Sequence, residues 1–295
     1  MNFTGNQDRI KSYLMVITAM LIWGSSGVFR RYIPVPSDFL AFLRGVLGSA
    51  FMLSLIFYYK KTGMGSIPRK TVAILLLAGA MYGFNWIFFF EAINYTTVPI
   101  ATLCYYMQPA LVILLSPLFL PEKLTFGKII VLCLTTTGMV LVSGITEMDS
   151  IDVTQLKGAL FGLSAGLLYA LNAIINKRIS QINTYHKTFI QLAGTVIALV
   201  PYLFIIDGWQ PIPTDGLTIA SILILGIVHT GIAFALYFSS MKTLSAPSVA
   251  ICGYIDPISA LFLAAIVLNE TLTLTGVIGA FLIIGTALVS ELKKV

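Results

Sequence analysis

The chain has 295 residues, 58% of them hydrophobic and only 10% charged, with a mean hydropathy of +0.93. A soluble domain of this length needs far more charge to coat its surface, so composition places the chain in a membrane. The net charge of +6 belongs to basic loops on one side of a bilayer rather than to a nucleic-acid surface.

Residues 1–12 are polar, and the first apolar run extends from Tyr13 to about Ile33. That is too long for the core of a cleaved signal peptide, and no small-residue cleavage site follows it, so it reads as a first membrane span. Apolar runs long enough to cross a bilayer as helices then recur to the end of the chain. The ten predicted spans are 13–33, 38–59, 71–94, 98–119, 125–143, 156–176, 186–206, 217–242, 246–268 and 273–291. The expected fold is all-α and polytopic, with short connections and no soluble domain. Cys104, Cys133 and Cys252 each sit inside an apolar run. Their odd number and wide spacing fit neither a disulfide framework nor a metal site, and they read as small buried hydrophobes.

Orientation follows from Lys and Arg. With the N-terminus inside, fourteen basic residues fall on the inner side, among them Arg9, Lys60, Lys61, Lys123, Lys177, Arg178 and Lys242. Three, Arg30, Arg31 and Lys157, fall on the outer side, and Arg44 lies within a span. This asymmetry predicts cytoplasmic termini in a multi-pass cytoplasmic (inner) membrane protein.

The chain also repeats itself. At an offset of 148 residues, Pro99 falls on Pro247, Cys104 on Cys252, Tyr106 on Tyr254, Pro109 on Pro257 and Glu122 on Glu270. Two prolines ten apart, followed by a glutamate thirteen later, are not matched by apolar composition alone. The repeats are read as 1–145 and 146–295. Each holds five spans, an odd number, so the halves are expected to insert with opposite topology. Inverted repeats are a transporter architecture with the binding site near the midplane between the halves.

These features resemble the ten-helix drug/metabolite transporter superfamily, in its EamA-type branch. The resemblance is carried by Ile22-Trp23-Gly24-Ser25-Ser26, Phe42-Leu43-Arg44, Ala92-Ile93-Asn94-Tyr95-Thr96-Thr97, Gln108-Pro109 and Pro121-Glu122-Lys123-Leu124-Thr125. In the second half it is carried by Leu244-Ser245-Ala246-Pro247, Asp256-Pro257 and Asn269-Glu270-Thr271-Leu272-Thr273. It implies a secondary transporter, most often an exporter of amino acids, other amines or drugs, acting by alternating access without a cofactor. Some relatives import or exchange, so an importer or proton-coupled antiporter of quaternary ammonium or drug-like cations is the second reading.

Ionisable side chains at membrane depth need a partner or a cavity. Asp256 lies ten residues into span 9. Pro257 has no N–H for the Gly253 carbonyl, which makes a loosened polar stretch there. Asp256 then either binds a solute cation, carries a coupling proton, or caps loose backbone. Gln108 and Pro109 occupy the matching place in span 4 without a charge. Arg44 and Glu91 enter their spans at similar depth and are expected to form a structural ion pair. On span 3, a spacing of about 100° per residue puts Tyr82, Asn85, Trp86 and Phe89 on one face and Glu91 with Phe84 and Phe88 on another. His229, midway along span 8, reads either as a switchable site or as a hydrogen-bonded filler.

Aromatic residues gather at a depth too central for a membrane-interface belt. The candidate solute site is therefore Trp23, Tyr82, Asn85, Trp86, Tyr106, Gln108, Tyr169, His229, Tyr254 and Asp256. A carboxylate among aromatic rings favours a cationic or zwitterionic amine; an anion is repelled, with no Arg or Lys expected to face that site. Glu122 and Glu270 read as caps at helix starts. The partners implied are a small solute, lipid and possible coupling protons, with no nucleic acid and no metal; no oligomeric state follows. An enzyme is excluded by the lack of nucleophile, metal-ligand and phosphate-cradle motifs. A channel is disfavoured because the intramembrane polar residues form no ring of like groups.

Overall fold

A computed structural model describes residues 3–30, 32–59, 67–96, 98–143, 153–268 and 274–293. Among the described residues every regular element is helical. The first half contains α1 (Phe3–Gly24), α2 (Ser26–Arg30), α3 (Ser37–Tyr58), α4 (Arg69–Tyr95), α5 (Val98–Tyr105), α6 (Gln108–Phe119) and α7 (Phe126–Ser143). The second half contains α8 (Val153–Arg178), α9 (Thr184–Ile205), α10 (Gly216–Leu223), α11 (Ala233–Ser240), α12 (Ala246–Cys252), α13 (Ile255–Leu268) and α14 (Leu274–Lys293), with a π-helical stretch, Ile224–Ile232, joining α10 to α11. Large apolar side chains such as Leu77, Phe204, Ile266 and Phe281 are exposed on the outer surface, the surface that lipid covers.

Three of the predicted spans are interrupted. Span 1 starts earlier than expected, because α1 runs through the polar residues from Phe3, and it breaks at Ser25. Span 4 breaks between α5 and α6 and span 9 between α12 and α13, at Tyr106 and Tyr254, a pair matched by the 148-residue offset. The cause is the same in both. Pro109 and Pro257 cannot donate to the carbonyls four residues back, so the helix ends there and restarts. At the second break, the Asp256 amide takes the Gly253 carbonyl in a tighter three-residue bond of 3.3 Å.

Side chains cap several helix starts. Asn183 Oδ1 accepts from the Tyr185 amide at 3.0 Å, Ser245 Oγ from Ser248 at 3.2 Å and Asp215 Oδ1 from Thr218 at 2.8 Å. The bonds from Thr218 hold the exposed Asp215 carboxyl below the usual carboxylate range. Glu122 does cap a helix start, but in the other half: its Oε1 accepts from the Ala246 amide at 3.2 Å, at the start of α12. Its own α7 is capped by Thr125, whose Oγ1 accepts from Lys128 at 3.3 Å. Glu270 lies outside the described residues.

The halves interlock through α4, a first-half helix held between α8 and α9 of the second half. Gly79 and Gly83, four apart, form a small-residue face on which α9 lies. A Cβ at Gly79 would overlap the Gln191 carbonyl, and one at Gly194 would overlap the Leu76 carbonyl. Such close approach is how helices associate where lipid gives no hydrophobic drive. Polar side chains fasten the seam: Thr195 Oγ1 donates to the Gly79 carbonyl at 2.7 Å, Asn172 Nδ2 to the Ala78 carbonyl, and Asn85 Nδ2 to the Ala165 carbonyl at 2.6 Å.

Near this seam lies a fully buried lysine. Lys187 Nζ donates to the Asn176 carbonyl at 3.3 Å and stands 5.1 Å from the centre of the Phe238 ring, with no carboxylate in ion-pair range among the described residues. An ammonium without a counter-charge carries a desolvation cost of several kcal/mol. Lys187→Met keeps the length of the side chain and removes that cost. It is expected to stabilise the fold by about 1–3 kcal/mol, seen as a higher midpoint of thermal unfolding in detergent. A lower midpoint would mean that the bond to Asn176 and the ring contact outweigh the desolvation.

Candidate functional site

A cavity of about 220 Å³ lies between the halves. It runs from Asp256, Tyr106 and Gln108 at the two helix breaks to Arg30 and Ser37 where α2 meets α3. Eight of the ten candidate residues line it: Trp23, Tyr82, Asn85, Trp86, Tyr106, Gln108, Tyr169 and Asp256. The face of α4 identified by helical spacing supplies four of the lining residues, Tyr82, Asn85, Trp86 and Phe89. Beyond it, on the side away from Arg30, the interior is filled by Met20, Tyr237, Phe238 and Met241, each nearly inaccessible.

The aromatic wall is a packed array rather than a set of isolated rings. Trp23 meets Phe234 at 5.1 Å and Tyr237 at 5.2 Å, and Tyr82 meets Phe234 at 4.8 Å, edge to face. Such contacts hold the rings in place before any solute arrives. The break at Tyr106 puts its hydroxyl beside the Asp256 carboxyl. Three buried polar atoms of cavity residues, Tyr82 Oη, Asn85 Oδ1 and Gln108 Oε1, have no hydrogen-bond partner among the described residues. A buried polar group without a partner is costly, and a solute or water in the cavity is the available source of one.

Two candidates lie elsewhere. Tyr254 is buried against Met139, Ile258, Ala280 and Ile283, behind the cavity on the α7, α13 and α14 side. The same break that turns Asp256 towards the cavity turns Tyr254 away from it. His229 stands behind Trp23. Its Nε2 is 2.9 Å from Ser25 Oγ, its Nδ1 is 3.3 Å from the Ile224 carbonyl, and its ring meets Phe29 edge-on at 5.3 Å. It joins the span 1 break to the π-helical stretch and does not face the cavity.

The expected ion pair is absent from this structure. Glu91 Oε1 accepts from Asn94 Nδ2 at 3.2 Å. Arg44 instead lines the cavity: its Nε donates to Thr230 Oγ1 at 3.1 Å and its guanidinium lies 4.5 Å from the Trp86 ring centre. Equal depth on two helices does not set the direction in which each side chain points. The expectation that no cation faces the site is thereby corrected. Phe90, Tyr105 and Phe234 also line the cavity without having been singled out by sequence. For Tyr105 the available signal was its neighbour Tyr106 at a proline-broken turn; for Phe90 and Phe234, apolar residues in apolar spans, there was none.

Comparison with known proteins agrees with this architecture. A model described as "EamA-like transporter family" matches the chain twice, over residues 10–144 and 156–291. A Bacillus subtilis (strain 168) protein named "Uncharacterized transporter YxxF" is 29% identical over 261 residues, 88% of this chain and 82% of that protein. An "Uncharacterized transporter" of Archaeoglobus fulgidus is 28% identical over 280 residues, 93% of this chain and 94% of that protein. A protein of known crystal structure superposes with a TM-score of 0.82 at 21% identity, over 95% of this chain and 98% of the other, a likeness of fold. A membrane-embedded helical chain that matches the same transporter model in both of its halves is a member of the EamA-like transporter family.

Proposed function

We propose that the chain is a secondary transporter that moves small zwitterionic amines, amino acids foremost, by alternating access, most often outward as an exporter. The single observation that carries this reading is the cavity itself, which holds Arg44 and Asp256 in one aromatic-walled space with no ion pair between them. Two opposite charges that do not satisfy each other suit a solute that brings both. An ammonium meets the Asp256 carboxylate, an apolar or flat body meets Trp23, Tyr82 and Trp86, and an acid group meets Arg44. A quaternary ammonium cation, the second reading, brings no counter-charge to Arg44 and is disfavoured for that reason.

Several features support alternating access. The paired helix breaks at Tyr106 and Tyr254 are placed as discontinuous helices are in transporters built from inverted repeats. The halves are read as inverted because each contributes five spans. Taken with the Lys and Arg asymmetry, the cavity end at Arg30 and Ser37 faces outside and the plug of Met20, Tyr237, Phe238 and Met241 closes the inner side, an outward-facing state.

The test is counterflow in proteoliposomes with labelled amino acids, their amides and a labelled quaternary amine, with and without a pH gradient. Saturable exchange of the zwitterions, weaker for the amides and absent for the quaternary amine, is expected. Flux that rises linearly with concentration for all three would indicate a channel, and selective exchange of the quaternary amine would favour the cation reading.

A further inference from the structure

We propose that the π-helical stretch Ile224–Ile232 builds a carboxylate subsite in the cavity, by holding Arg44 of the first half through Thr230 so that its guanidinium edge is free to bind an acid group. This deepens the reading of the cavity as a solute site and rests on it in one respect, that the carboxylate bound belongs to a transported solute.

The argument starts from the backbone. In a π-helix each amide bonds the carbonyl five residues back, and such stretches are rare and gather at functional sites. The last such bond here runs from the Ala233 amide to the Val228 carbonyl. When the ladder returns to four-residue spacing, one carbonyl is passed over, and His229 is next in line. Its carbonyl is taken by Trp23 Nε1 at 2.7 Å. The neighbouring Thr230 is fully buried, and its hydroxyl donates to the Leu225 carbonyl, also five residues back, at 2.8 Å. With its one proton engaged, the hydroxyl presents lone pairs, and Arg44 Nε donates to them at 3.1 Å. Two consecutive residues of the second half thus hold one cavity residue each from α1 and α3 of the first half.

What this leaves on Arg44 defines the ligand. Nε is held by Thr230 and one face of the guanidinium is covered by Trp86. The two terminal nitrogens have no protein partner among the described residues, yet Arg44 lines the cavity. A planar fork fixed at its stem, with free N–H groups at its tip, matches the two oxygens of a carboxylate. The other cavity arginine is different: Arg30 Nη1 donates to the Ile33 carbonyl and Nη2 to the Val35 carbonyl at 3.0 Å, so its fork already holds the α2–α3 connection. Arg44 is therefore the binding residue and Thr230 a positioning residue.

The experiment uses an aromatic acid as the probe, so that it does not depend on knowing the solute. Purified full-length protein is treated with phenylglyoxal, which modifies accessible guanidinium groups, in the presence of benzoate or benzamide, and modification is quantified on the peptide carrying Arg44. Benzoate is expected to protect Arg44 and not Arg30, and benzamide to protect neither. Thr230→Val removes the oxygen and keeps the shape. It is expected to weaken protection by benzoate about tenfold, the worth of one hydrogen bond to a charged group, while Thr230→Ser retains it. A purely structural role for Thr230 would change folding and leave the concentration dependence of protection in the folded fraction unmoved. Failure of benzoate to protect Arg44 in the wild type overturns the subsite, as does wild-type protection in Thr230→Val. Should Thr230→Val not fold, the wild-type contrast of benzoate with benzamide still decides the subsite. Protection of Arg44 without counterflow of any zwitterion would overturn the proposed transport function and leave the subsite standing.

Discussion

Asp256→Asn is expected to abolish binding of zwitterionic amines while leaving the protein folded. The change keeps the size of the side chain and a group able to meet the Tyr106 hydroxyl, and it leaves Pro257, the cause of the helix break, in place. What it removes is the negative charge opposite Arg44 in the cavity. Loss of one partner from a desolvated, hydrogen-bonded charge pair costs roughly 2–4 kcal/mol, or about thirty- to a thousandfold in affinity. Equilibrium binding of labelled amino acids to the purified protein measures this directly. A different result assigns Asp256 a different role. Retained binding and exchange, with loss of accumulation driven by a pH gradient, would make it the carrier of a coupling proton. Wild-type behaviour in binding, exchange and driven uptake would leave it a structural feature of the α12–α13 break and would remove the reason for placing an amine there.

The second large effect is on folding. Gly79→Ala is expected to lose most of the folded protein, a destabilisation of about 3 kcal/mol or more. The added methyl falls within the Gln191 carbonyl, main chain that cannot swing aside as a flexible side chain does. Displacing α9 to make room would break the bond from Thr195 to the Gly79 carbonyl. Moving α4 the other way would break the bonds that tie it to α8, from Asn172 to Ala78 and from Asn85 to Ala165. Gly285→Ala in α14 is the control, because no atom of the described residues lies within 4 Å of the added Cβ. The measurement is the yield of monodisperse protein and its thermal midpoint. Equal yields of the two variants would show that the α4–α9 seam is looser than the structure has it.

Parts of the site were legible in the sequence for definite reasons. The aromatic face of α4 was legible because an α-helix has a fixed angular period, so residues 82, 85, 86 and 89 lie on one side wherever the helix is placed. The interruption near Asp256 was legible because proline removes a backbone donor in any environment. Glu122 was recognisable as a capping residue, since a carboxylate beside a helix start is favourable wherever the start comes from. Which helix it caps was not. The amide it meets belongs to Ala246, 124 residues away, and only the packing of the halves brings the two together.

Arg44, Tyr254 and His229 show where such reading stops. Depth can be counted along a span, and it set Arg44 level with Glu91, but direction around the helix axis depends on the neighbour that each face meets. Arg44 met Thr230 and Trp86 instead. Tyr254 was expected in the site beside Asp256, yet the turn between two helices sends side chains two residues apart to opposite sides. The π-helical stretch has no proline or charge to announce it, and it positions His229 behind Trp23 rather than in the cavity. The sequence by itself determined that this chain crosses a membrane many times, that its halves repeat and that proline loosens the helix near Asp256. Those properties depend on apolar length, on residue identity at a fixed offset and on local backbone chemistry. Only the tertiary structure decided that a first-half arginine and a second-half carboxylate share one cavity, because that depends on how the helices are rotated and pressed together. Glycine faces, side-chain bonds to backbone and a one-residue change of helical register jointly set those rotations.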